Sequence, residues 1–387
     1  MSRSVSILGA TGSVGRQTLD VIAQHASKFQ IVALTAGSNV DMLIQQARAF
    51  KPKFVAIADE AAYPRLKEAL ADMPAIAVAG GAKAVVEAAC LDTDITVAAI
   101  VGVAGLVPVM EAIKRGKTVA FANKETLVAA GNIMMDAVAK YGTTLLPIDS
   151  EHNAIFQVLH GHDLKGLRRI VLTASGGPFR EWSTERMKKA TPEQAVAHPT
   201  WSMGQKISVD SATLMNKALE VIEAHHLFAL PSAKIDVVIH PQSVVHGMAE
   251  YADGSFLAQM GPADMRTPIT VCLGWPERID TSGARMDVMA LSKLEFSAPD
   301  TVRFPALRLV RQVLADAGLA SAILFNTANE VAVAAFLKRT IGFCDILDNI
   351  ERMLNDSHKP AISTLEDILN FDAQIRETMS ETIKNAA

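Results

Sequence analysis

The sequence predicts an α/β protein that begins with a doubly wound parallel sheet, continues as an α+β region with a mainly antiparallel sheet and ends in a helical bundle. Short apolar runs alternate with helical patterns over residues 1–150, which is the order that gives parallel strands covered by helices. Two β-like runs around Asp253 and Gly254 predict an antiparallel hairpin, and the pattern from Ala306 onward is almost wholly helical. With 387 residues, the chain exceeds the roughly 250–300 at which single cores stop growing, so two or three domains are expected.

The first strand leads through a glycine loop, in the stretch SVSILGATGSVG, into the first helix. Gly9, Gly12 and Gly15 form a variant of the G-x-G-x-x-G fingerprint, at the strand–helix junction where that fingerprint occurs. Glycines let a ligand approach the backbone closely, and a helix N-terminus attracts a pyrophosphate. The pattern favours a Rossmann-like dinucleotide site over a merely structural tight turn.

Five further apolar runs predict the remaining strands of the parallel sheet. They are IVALTAG, FVAIAD, ITVAAIVG, KTVAFAN and TTLLPI. An NAD-binding domain normally has an acidic residue at the end of its second strand, whereas this chain has Gly37, Ser38 and Asn39. Without a carboxylate to repel it, a 2′-phosphate is admissible there, and Ser38 and Asn39 can donate hydrogen bonds to it. NADPH is therefore the predicted cofactor.

The composition argues against several classes of protein. A net charge of −4 gives no electrostatic footprint for nucleic acid or an anionic membrane. Cys90, Cys272 and Cys344 are far apart, which is untypical of a disulfide framework or a thiolate zinc site. The N-terminus lacks the pattern of a signal peptide, and no apolar run reaches the ~18 residues needed to cross a bilayer. We expect a soluble, cytoplasmic protein.

Two carboxylates follow the last predicted strand of the sheet, in the stretch PIDSEH. Asp149 and Glu151 are two residues apart, so in an extended segment both side chains point to the same side. Two neighbouring like charges favour a cation or a shared proton between them. A solvated loop at a strand end is the alternative for this motif taken alone.

Two later loops have the composition of an anion site and of a lid. Ser175, Gly176 and Gly177 supply a hydroxyl and backbone amides suited to a phosphate, although a plain turn explains them equally well. The stretch HPTWSMG combines proline, glycine and the aromatic Trp201. A mobile loop with an apolar tip is expected there, and such a loop can close over a substrate.

The helix that follows this loop has a polar side with a candidate role. Thr213, Asn216, Lys217 and Glu220 converge on one arc at ~100° per residue, opposite a broad apolar arc. Asp210 and Ser211 are expected to form the N-cap. Ser211, Asn216 and Lys217 could bind a phosphate, while Glu220 reaches Asp149 and Glu151. Three carboxylates, all oxygen ligands, point to Mg²⁺ or Mn²⁺ and away from zinc.

Seven segments in order carry a resemblance to a known family. They are GATGSVG, FANKETLV, PIDSEHNAIFQ, TASGGPF, HPTWSMGQKISVDSATLMNKALE, IHPQSVVHGM and FNTANEVAVAAFL. Together they resemble the 1-deoxy-D-xylulose 5-phosphate reductoisomerases of the methylerythritol phosphate route to isoprenoids. The resemblance runs from about residue 4 to beyond residue 370.

The resemblance implies a role for each residue of the candidate site. The implied metal ligands are Asp149, Glu151 and Glu220, and the catalytic set adds Lys124 and His198. The implied substrate contacts are Lys124, Ser150, Glu151, Ser175, His198, Trp201, Met203, Ser211, Asn216, Lys217, Glu220 and His246, with Trp201 and Met203 on a closing flap. The implied NADPH contacts are Thr11, Gly12, Ser13, Val14, Gly37, Ser38, Asn39, Asn123, Glu125 and Gly204. Ser38 departs from the family's pattern, because many members carry a basic residue there.

The resemblance also implies an organisation and an activity. Residues 1–149 would bind NADPH, residues 150–275 would form the catalytic and dimerisation domain with a flap near 198–206, residues 276–305 would connect, and residues 306–387 would form a helical bundle. With NADPH and one Mg²⁺ or Mn²⁺ ion, such a homodimeric enzyme rearranges and reduces 1-deoxy-D-xylulose 5-phosphate to 2-C-methyl-D-erythritol 4-phosphate.

Two other functions fit parts of the sequence. An aldehyde dehydrogenase resembling aspartate semialdehyde dehydrogenase also opens with a GATG-type loop, but it needs a cysteine nucleophile beside a base. None of the three cysteines has such a setting in the sequence. A non-catalytic NADPH-sensing regulator is the second alternative, and it would have no use for three carboxylates.

Overall fold

A computed structural model describes residues 2–316 and 318–386, which form two compact units. The first unit comprises the described chain up to residue 126 with residues 134–153 and 264–284, and the second comprises residues 127–133, 154–263 and the described residues from 285 onward. Two helices run from one unit into the other along the chain, α6 (Lys124–Tyr141) and α7 (Ser150–Leu159).

The first unit contains a seven-stranded parallel sheet. Its strands are β1 (Arg3–Leu8), β2 (Phe29–Ala36), β3 (Phe54–Ile57), β4 (Ala77–Gly80), β5 (Ile95–Ala98), β6 (Thr118–Phe121) and β7 (Thr144–Pro147). They lie in the order β4-β3-β2-β1-β5-β6-β7, so the direction of winding reverses between β1 and β5. Ligands of open parallel sheets bind at such a reversal, beyond the carboxyl ends of the strands. The predicted doubly wound sheet is confirmed.

Helices cover this sheet and bury its apolar residues. Those of the first unit are α1 (Ser13–Gln24), α2 (Val40–Phe50), α3 (Tyr63–Ala69), α4 (Ala82–Cys90), α5 (Leu106–Lys114) and, much later in the chain, α12 (Arg266–Gly274). Val5, Ile7 and Val97 have no exposed surface, as expected for strands covered on both faces. Sequence analysis did not predict β4, because its run AVAG is short, poor in β-branched residues and only partly buried at the sheet edge.

The second unit contains a four-stranded mixed sheet. Its strands are β8 (Leu167–Ala174), β9 (Ile235–Ile239), β10 (Val245–Tyr251) and β11 (Phe256–Met260), in the order β11-β10-β8-β9. β10 is antiparallel to both of its neighbours, whereas β8 and β9 are parallel. The predicted hairpin is therefore β10–β11, and Gly254 turns it with a φ of +86°. The expectation of a mainly antiparallel sheet is confirmed.

Four helices of the second unit lie between β8 and β9 along the chain, and four more follow β11. They are α8 (Thr184–Met187), α9 (Pro192–Val196), α10 (Gln205–Ala212), α11 (Met215–Leu227), α13 (Ala306–Ala315), α14 (Ala320–Leu337), α15 (Phe343–Asp356) and α16 (Leu365–Ala386). The last four form the predicted C-terminal helical region. α14 is the one helix among the described residues that is long and apolar enough to cross a membrane, but 72% of it is buried and it packs against α15 and α16. It is the core helix of this region.

Candidate active site

The glycine loop takes its shape from backbone contacts. Gly9 has a φ of +91°, and a Cβ there would lie 2.6 Å from the carbonyl oxygen of Ala99. A Cβ on Gly15 would lie 2.3 Å from the carbonyl oxygen of Gly9. Gly12 is the N-cap of α1, with no side chain capping the helix, and Gly12 and Ser13 are exposed. The first amides of α1 therefore face an exposed loop, which is the arrangement that fits a pyrophosphate.

The end of β2 presents three exposed residues, Gly37, Ser38 and Asn39. The side-chain oxygen of Asn39 accepts a hydrogen bond from the amide of Met42 and caps α2. Its NH₂ group remains a donor by chemistry, as does the hydroxyl of Ser38. Residues 37–39 thus offer hydrogen-bond donors and include no carboxylate.

The N-terminus of α6 carries a predicted cofactor contact that also has a structural role. The side-chain oxygen of Asn123 caps α6 by accepting from the amide of Thr126, and its NH₂ group donates to the carbonyl of Gly102 over 3.0 Å. Lys124 and Glu125 follow in the first turn of α6, and both are buried. The ammonium of Lys124 forms an ion pair with Asp149.

The two carboxylates after β7 lie on a helical turn, so the expectation of an extended segment is wrong. α7 begins at Ser150, and the amide of Asn153 donates to the carbonyl of Asp149 over 2.8 Å, which closes the first turn. The Ser150 hydroxyl donates to Glu151 over 2.6 Å. Asp149 and Glu151 therefore come close through the start of a helix, where backbone amides and the helix dipole stabilise negative charge.

In the second unit, Ser175 and His198 form a hydrogen-bonded pair. The Oγ of Ser175 lies 2.8 Å from the Nε2 of His198 and accepts from the amide of Gly177 over 3.1 Å. The Nδ1 of His198 accepts from the amides of Thr200 and Trp201, over 3.1 and 2.9 Å. An Nδ1 that accepts carries no proton, so the neutral ring carries its proton on Nε2 and donates to Ser175.

This tautomer determines what Ser175 can do. Burial lowers the pKa of His198, which favours the neutral ring. The Ser175 oxygen then accepts from both Nε2 of His198 and the Gly177 amide, so its own proton points elsewhere. A hydroxyl held in this way is a hydrogen-bond donor towards an anion.

The loop that contains His198 joins α9 to α10 and contains most of the residues 198–206 that are predicted to form a flap. It lines an open cavity of about 410 Å³, bounded by residues 196–203, which include Met203. The ring of Trp201 packs edge-on against the buried His246 of β10, with ring centroids 6.0 Å apart. Gly204 is exposed at the start of α10.

The polar arc of α11 faces the protein interior. Glu220 has no exposed surface, and Lys217 is buried too. The carboxylate of Glu220 accepts from the NH₂ group of Asn216 over 2.5 Å and from the ammonium of Lys217. Burying a carboxylate costs free energy unless hydrogen-bond donors or a cation compensate its charge, so the position of Glu220 indicates such a role.

The expected N-cap at Asp210 and Ser211 is wrong. Both residues lie inside α10, and α11 starts after Leu214, whose φ of 59° is left-handed. Asp210 is buried and instead accepts from the NH₂ group of Asn329 over 2.8 Å. Ser211 lies beside the Ser175 loop, because a Cβ on Gly177 would lie 2.6 Å from the carbonyl oxygen of Ser211.

The structure thus groups the predicted residues within each unit. The first unit holds the glycine loop with Lys124, Asp149, Ser150 and Glu151, and the second holds Ser175, His198, Trp201, Ser211 and the polar arc of α11. Sequence reasoning missed Asn153 and Asn329. Both lie inside the quoted segments PIDSEHNAIFQ and FNTANEVAVAAFL, but no spacing rule marks them as supporting residues.

Comparisons with known proteins decide the family. Models described as 1-deoxy-D-xylulose 5-phosphate reductoisomerase and its C-terminal domains match residues 5–131, 145–228 and 260–378. The reductoisomerase of Rhodospirillum centenum is 54% identical over 98% of this chain and 94% of its own. That of Zymomonas mobilis is 52% identical over 97% and 96%. The chain belongs to the 1-deoxy-D-xylulose 5-phosphate reductoisomerase family.

Solved reductoisomerase structures share the whole fold. The Zymomonas mobilis enzyme in complex with NADPH is 49% identical, with a TM-score of 0.93 and 99% of both chains covered. A reductoisomerase in complex with NADPH, fosmidomycin and magnesium is 43% identical, with a TM-score of 0.94 and 99% and 98% covered. The resemblance and the fold class given by the sequence are confirmed.

Proposed function

We propose that this protein converts 1-deoxy-D-xylulose 5-phosphate to 2-C-methyl-D-erythritol 4-phosphate in the non-mevalonate isoprenoid pathway, using NADPH and one divalent metal ion. The observation that carries the proposal is membership of the reductoisomerase family at about half identity over nearly the whole chain. When bound, NADPH supplies the hydride and the metal ion supplies a Lewis acid for the ketone and a neighbouring hydroxyl.

The residues present fit NADPH. The glycine loop leaves no space for a Cβ at Gly9 or Gly15, while Gly12 and Ser13 expose the amides at the start of α1. The proposed contacts are Thr11, Gly12, Ser13, Val14, Gly37, Ser38, Asn39, Asn123, Glu125 and Gly204. Solved relatives bind NADPH, which supports this choice of nucleotide.

The residues present also fit a hard divalent cation. Asp149, Glu151 and Glu220 offer only oxygen donors, which suit Mg²⁺ or Mn²⁺. Asp149 is paired with Lys124, and Glu220 is paired with Lys217 within its own unit. We assign these three carboxylates as the ligands, and relatives bound to magnesium support the assignment.

The substrate's phosphate is held, in this proposal, by the donors of the second unit. The Ser175 hydroxyl has its oxygen occupied by His198 and Gly177, so it donates outward. Ser211, Asn216 and Lys217 add a hydroxyl, an amide and an ammonium. The remaining proposed contacts are Lys124, Ser150, His198, Trp201, Met203 and His246.

The chain's own residues supply positioning and water exclusion. His198 orients the Ser175 proton, and the flap carrying Trp201 and Met203 covers the substrate so that each electrostatic contact strengthens. The ammonium of Lys124, held beside Asp149, supplies positive charge near the reacting oxygens.

The quaternary structure, location and domain roles belong to the same proposal. β11 is an edge strand with exposed Phe256 and Met260, which supports a homodimer formed through the central sheet. We assign NADPH binding to residues 1–149, catalysis and dimerisation to 150–275, a connecting role to 276–305 and a supporting helical role to 306–387, in a cytoplasmic enzyme.

The deciding experiment is an activity assay on the purified protein that follows NADPH oxidation. NADPH oxidation should require both 1-deoxy-D-xylulose 5-phosphate and Mg²⁺ or Mn²⁺, and mass spectrometry should identify 2-C-methyl-D-erythritol 4-phosphate. Glu220→Gln should fold and bind NADPH but turn over no substrate. NADPH binding without turnover in the wild type would favour the regulator alternative.

The aldehyde dehydrogenase alternative lacks a nucleophile. Cys272 is fully buried, and burial raises the pKa of all three thiols, Cys90, Cys272 and Cys344. A thiolate is the nucleophilic form, so raised pKa values oppose this chemistry.

A further inference from the structure

The backbone carbonyl of Pro147 lies close in sequence to the two carboxylates of the first unit. It ends β7, the outermost strand of the parallel sheet, and it stands two residues before Asp149. On the inner side, the next residue pairs with β6, since the amide of Ile148 donates to the carbonyl of Phe121 over 2.7 Å. On the outer side, no strand within the described residues follows β7, and the Pro147 carbonyl accepts from side chains instead.

Asn153 supplies the main donor. Its NH₂ group donates to the carbonyl of Pro147 over 2.8 Å, and its backbone amide donates to the carbonyl of Asp149, also over 2.8 Å. One buried residue therefore holds both the last residue of β7 and the first turn of α7. The thiol of Cys272, which touches the Asn153 amide at 3.6 Å, donates a weaker bond to the same carbonyl over 3.3 Å.

These contacts enclose the segment that carries the two proposed metal ligands. Asp149 and Glu151 lie between Pro147 and Asn153, so a change in the distance between those two residues moves both carboxylates. Residues that orient metal ligands do not touch the metal themselves. Replacing such a residue typically weakens metal binding ~10–100-fold.

We propose that Asn153 is a positioning residue for the divalent metal, acting through the turn that carries Asp149 and Glu151. The inference rests on the proposed function, because it takes those two carboxylates as ligands. The isosteric aspartate would remove the donor but add a charge beside the ligands, so alanine is the cleaner replacement.

The test measures Mn²⁺ binding to the NADPH-bound protein by electron paramagnetic resonance, together with the NADPH Kd and the Tm. Asn153→Ala should weaken Mn²⁺ binding at least about tenfold and leave the NADPH Kd within about twofold of wild type. Cys272→Ala should have a smaller effect, since a thiol is a weak donor. If the alanine variant does not fold, Asn153→Ser retains a shorter donor and should show an intermediate loss.

Thr143→Val is the matched control. Thr143 is buried just before β7 and donates to the carbonyl of Ile113 over 2.5 Å, so the variant loses a comparable bond at the opposite end of the same strand. It should lower the Tm without changing Mn²⁺ affinity. Wild-type Mn²⁺ affinity in Asn153→Ala, or an equal loss in Thr143→Val, would overturn the proposal.

Asp149→Asn separates this inference from the proposed function. Loss of Mn²⁺ binding in Asp149→Asn with none in Asn153→Ala refutes only the positioning role. Unchanged Mn²⁺ binding in Asp149→Asn refutes the metal assignment itself, and the positioning role with it.

Discussion

The glycine loop of the first unit and the His198 loop of the second reach a defined shape by different means. The glycine loop is fixed by close backbone contacts, with Gly15 against the carbonyl of Gly9. In the His198 loop, one imidazole nitrogen accepts hydrogen bonds from two backbone amides. The first shape is set by sterics, whereas the second depends on hydrogen bonds to the His198 side chain and on its protonation.

The difference suggests how the two regions should respond to change. A site built from backbone offers the ligand amides whose positions cannot adjust, as a pyrophosphate on a helix N-terminus requires. A site held by a side chain can open and close, as a flap requires. Substitutions in the first region should therefore affect folding and cofactor binding together, and those in the second should affect the substrate alone.

The largest effect is expected for Gly15→Ala. Its Cβ would lie 2.3 Å from the Gly9 carbonyl oxygen and 2.6 Å from the Cα of Ala10, which no rotamer change can relieve. We expect the free energy of unfolding to fall by about 3 kcal/mol, with loss of NADPH binding. Thermal unfolding and cofactor titration measure both. Gly12→Ala is the control, since its Cβ would approach nothing closer than 3.4 Å, and a wild-type Tm in Gly15→Ala would contradict the steric account.

His198→Asn tests the second region. Asparagine keeps an acceptor near the position of Nδ1 but loses the donor to Ser175, so the loop should hold while the Ser175 proton loses its orientation. A hydrogen bond to a charged group, here from Ser175 to the phosphate, contributes about 1.5–3 kcal/mol of binding free energy. We therefore expect the KM for the sugar phosphate to rise about tenfold or more. The Tm and the NADPH Kd should not change. Equal losses in all three quantities would show that His198 is only structural.

The pH dependence gives the same region a second test. Burial lowers the pKa of His198 below its ordinary 6.5, so the unfolded chain binds this proton more readily than the folded one. The stability that the neutral ring contributes is present above pH 6.5 and is lost as the pH falls through the lowered pKa. Proteolysis of residues 198–206 in the wild type should therefore accelerate as the pH falls below 6.5. His198→Asn should remove this pH dependence.

Trp201→Ala should act on closure and not on folding. The half-buried indole contacts the buried His246 edge-on, and it stands in a loop flanked by Pro199 and Gly204. We expect kcat/KM for the sugar phosphate to fall about tenfold while the Tm changes little. In the wild type, a substrate analogue with metal should slow proteolysis near residues 198–206. A variant that unfolds, with a loop that resists protease equally with and without ligand, would make Trp201 a core residue.

A further prediction concerns Ser38, whose side chain we expect to determine nucleotide selectivity within the region otherwise built from backbone. The wild type should prefer NADPH to NADH, since the exposed residues 37–39 include no carboxylate. Ser38→Arg should raise that preference about tenfold or more, because a charge-assisted hydrogen bond contributes roughly 1.5–3 kcal/mol. The kcat/KM ratio for the two nucleotides measures it. A wild-type preference for NADH would refute the reading of the strand end.

Local patterns predicted what depends on local chemistry. The alternation of strands and helices gave the parallel sheet, and the glycines gave the loop between β1 and α1, because both depend on neighbouring residues. The short edge strand β4 was missed for the same reason, since its run of alanine and glycine carries little β preference.

The rest depends on contacts that sequence spacing does not encode. Asp210 looks like an N-cap in the sequence, but it lies inside α10 and pairs with Asn329, which is 119 residues away. Glu151 looks extended after an apolar run, yet α7 starts at once because Asn153 closes its first turn. The tautomer of His198 follows from two amides of its own loop, which no residue pattern reveals.

The central claim is that Asp149, Glu151 and Glu220 bind one divalent ion, and Mn²⁺ titration monitored by electron paramagnetic resonance tests it most directly. The NADPH-bound wild type should bind one ion per chain. Asp149→Asn, Glu151→Gln and Glu220→Gln should each weaken that binding about 100-fold or more, because each removes a charged oxygen ligand, while the NADPH Kd stays constant. Wild-type Mn²⁺ affinity in all three variants would contradict the account.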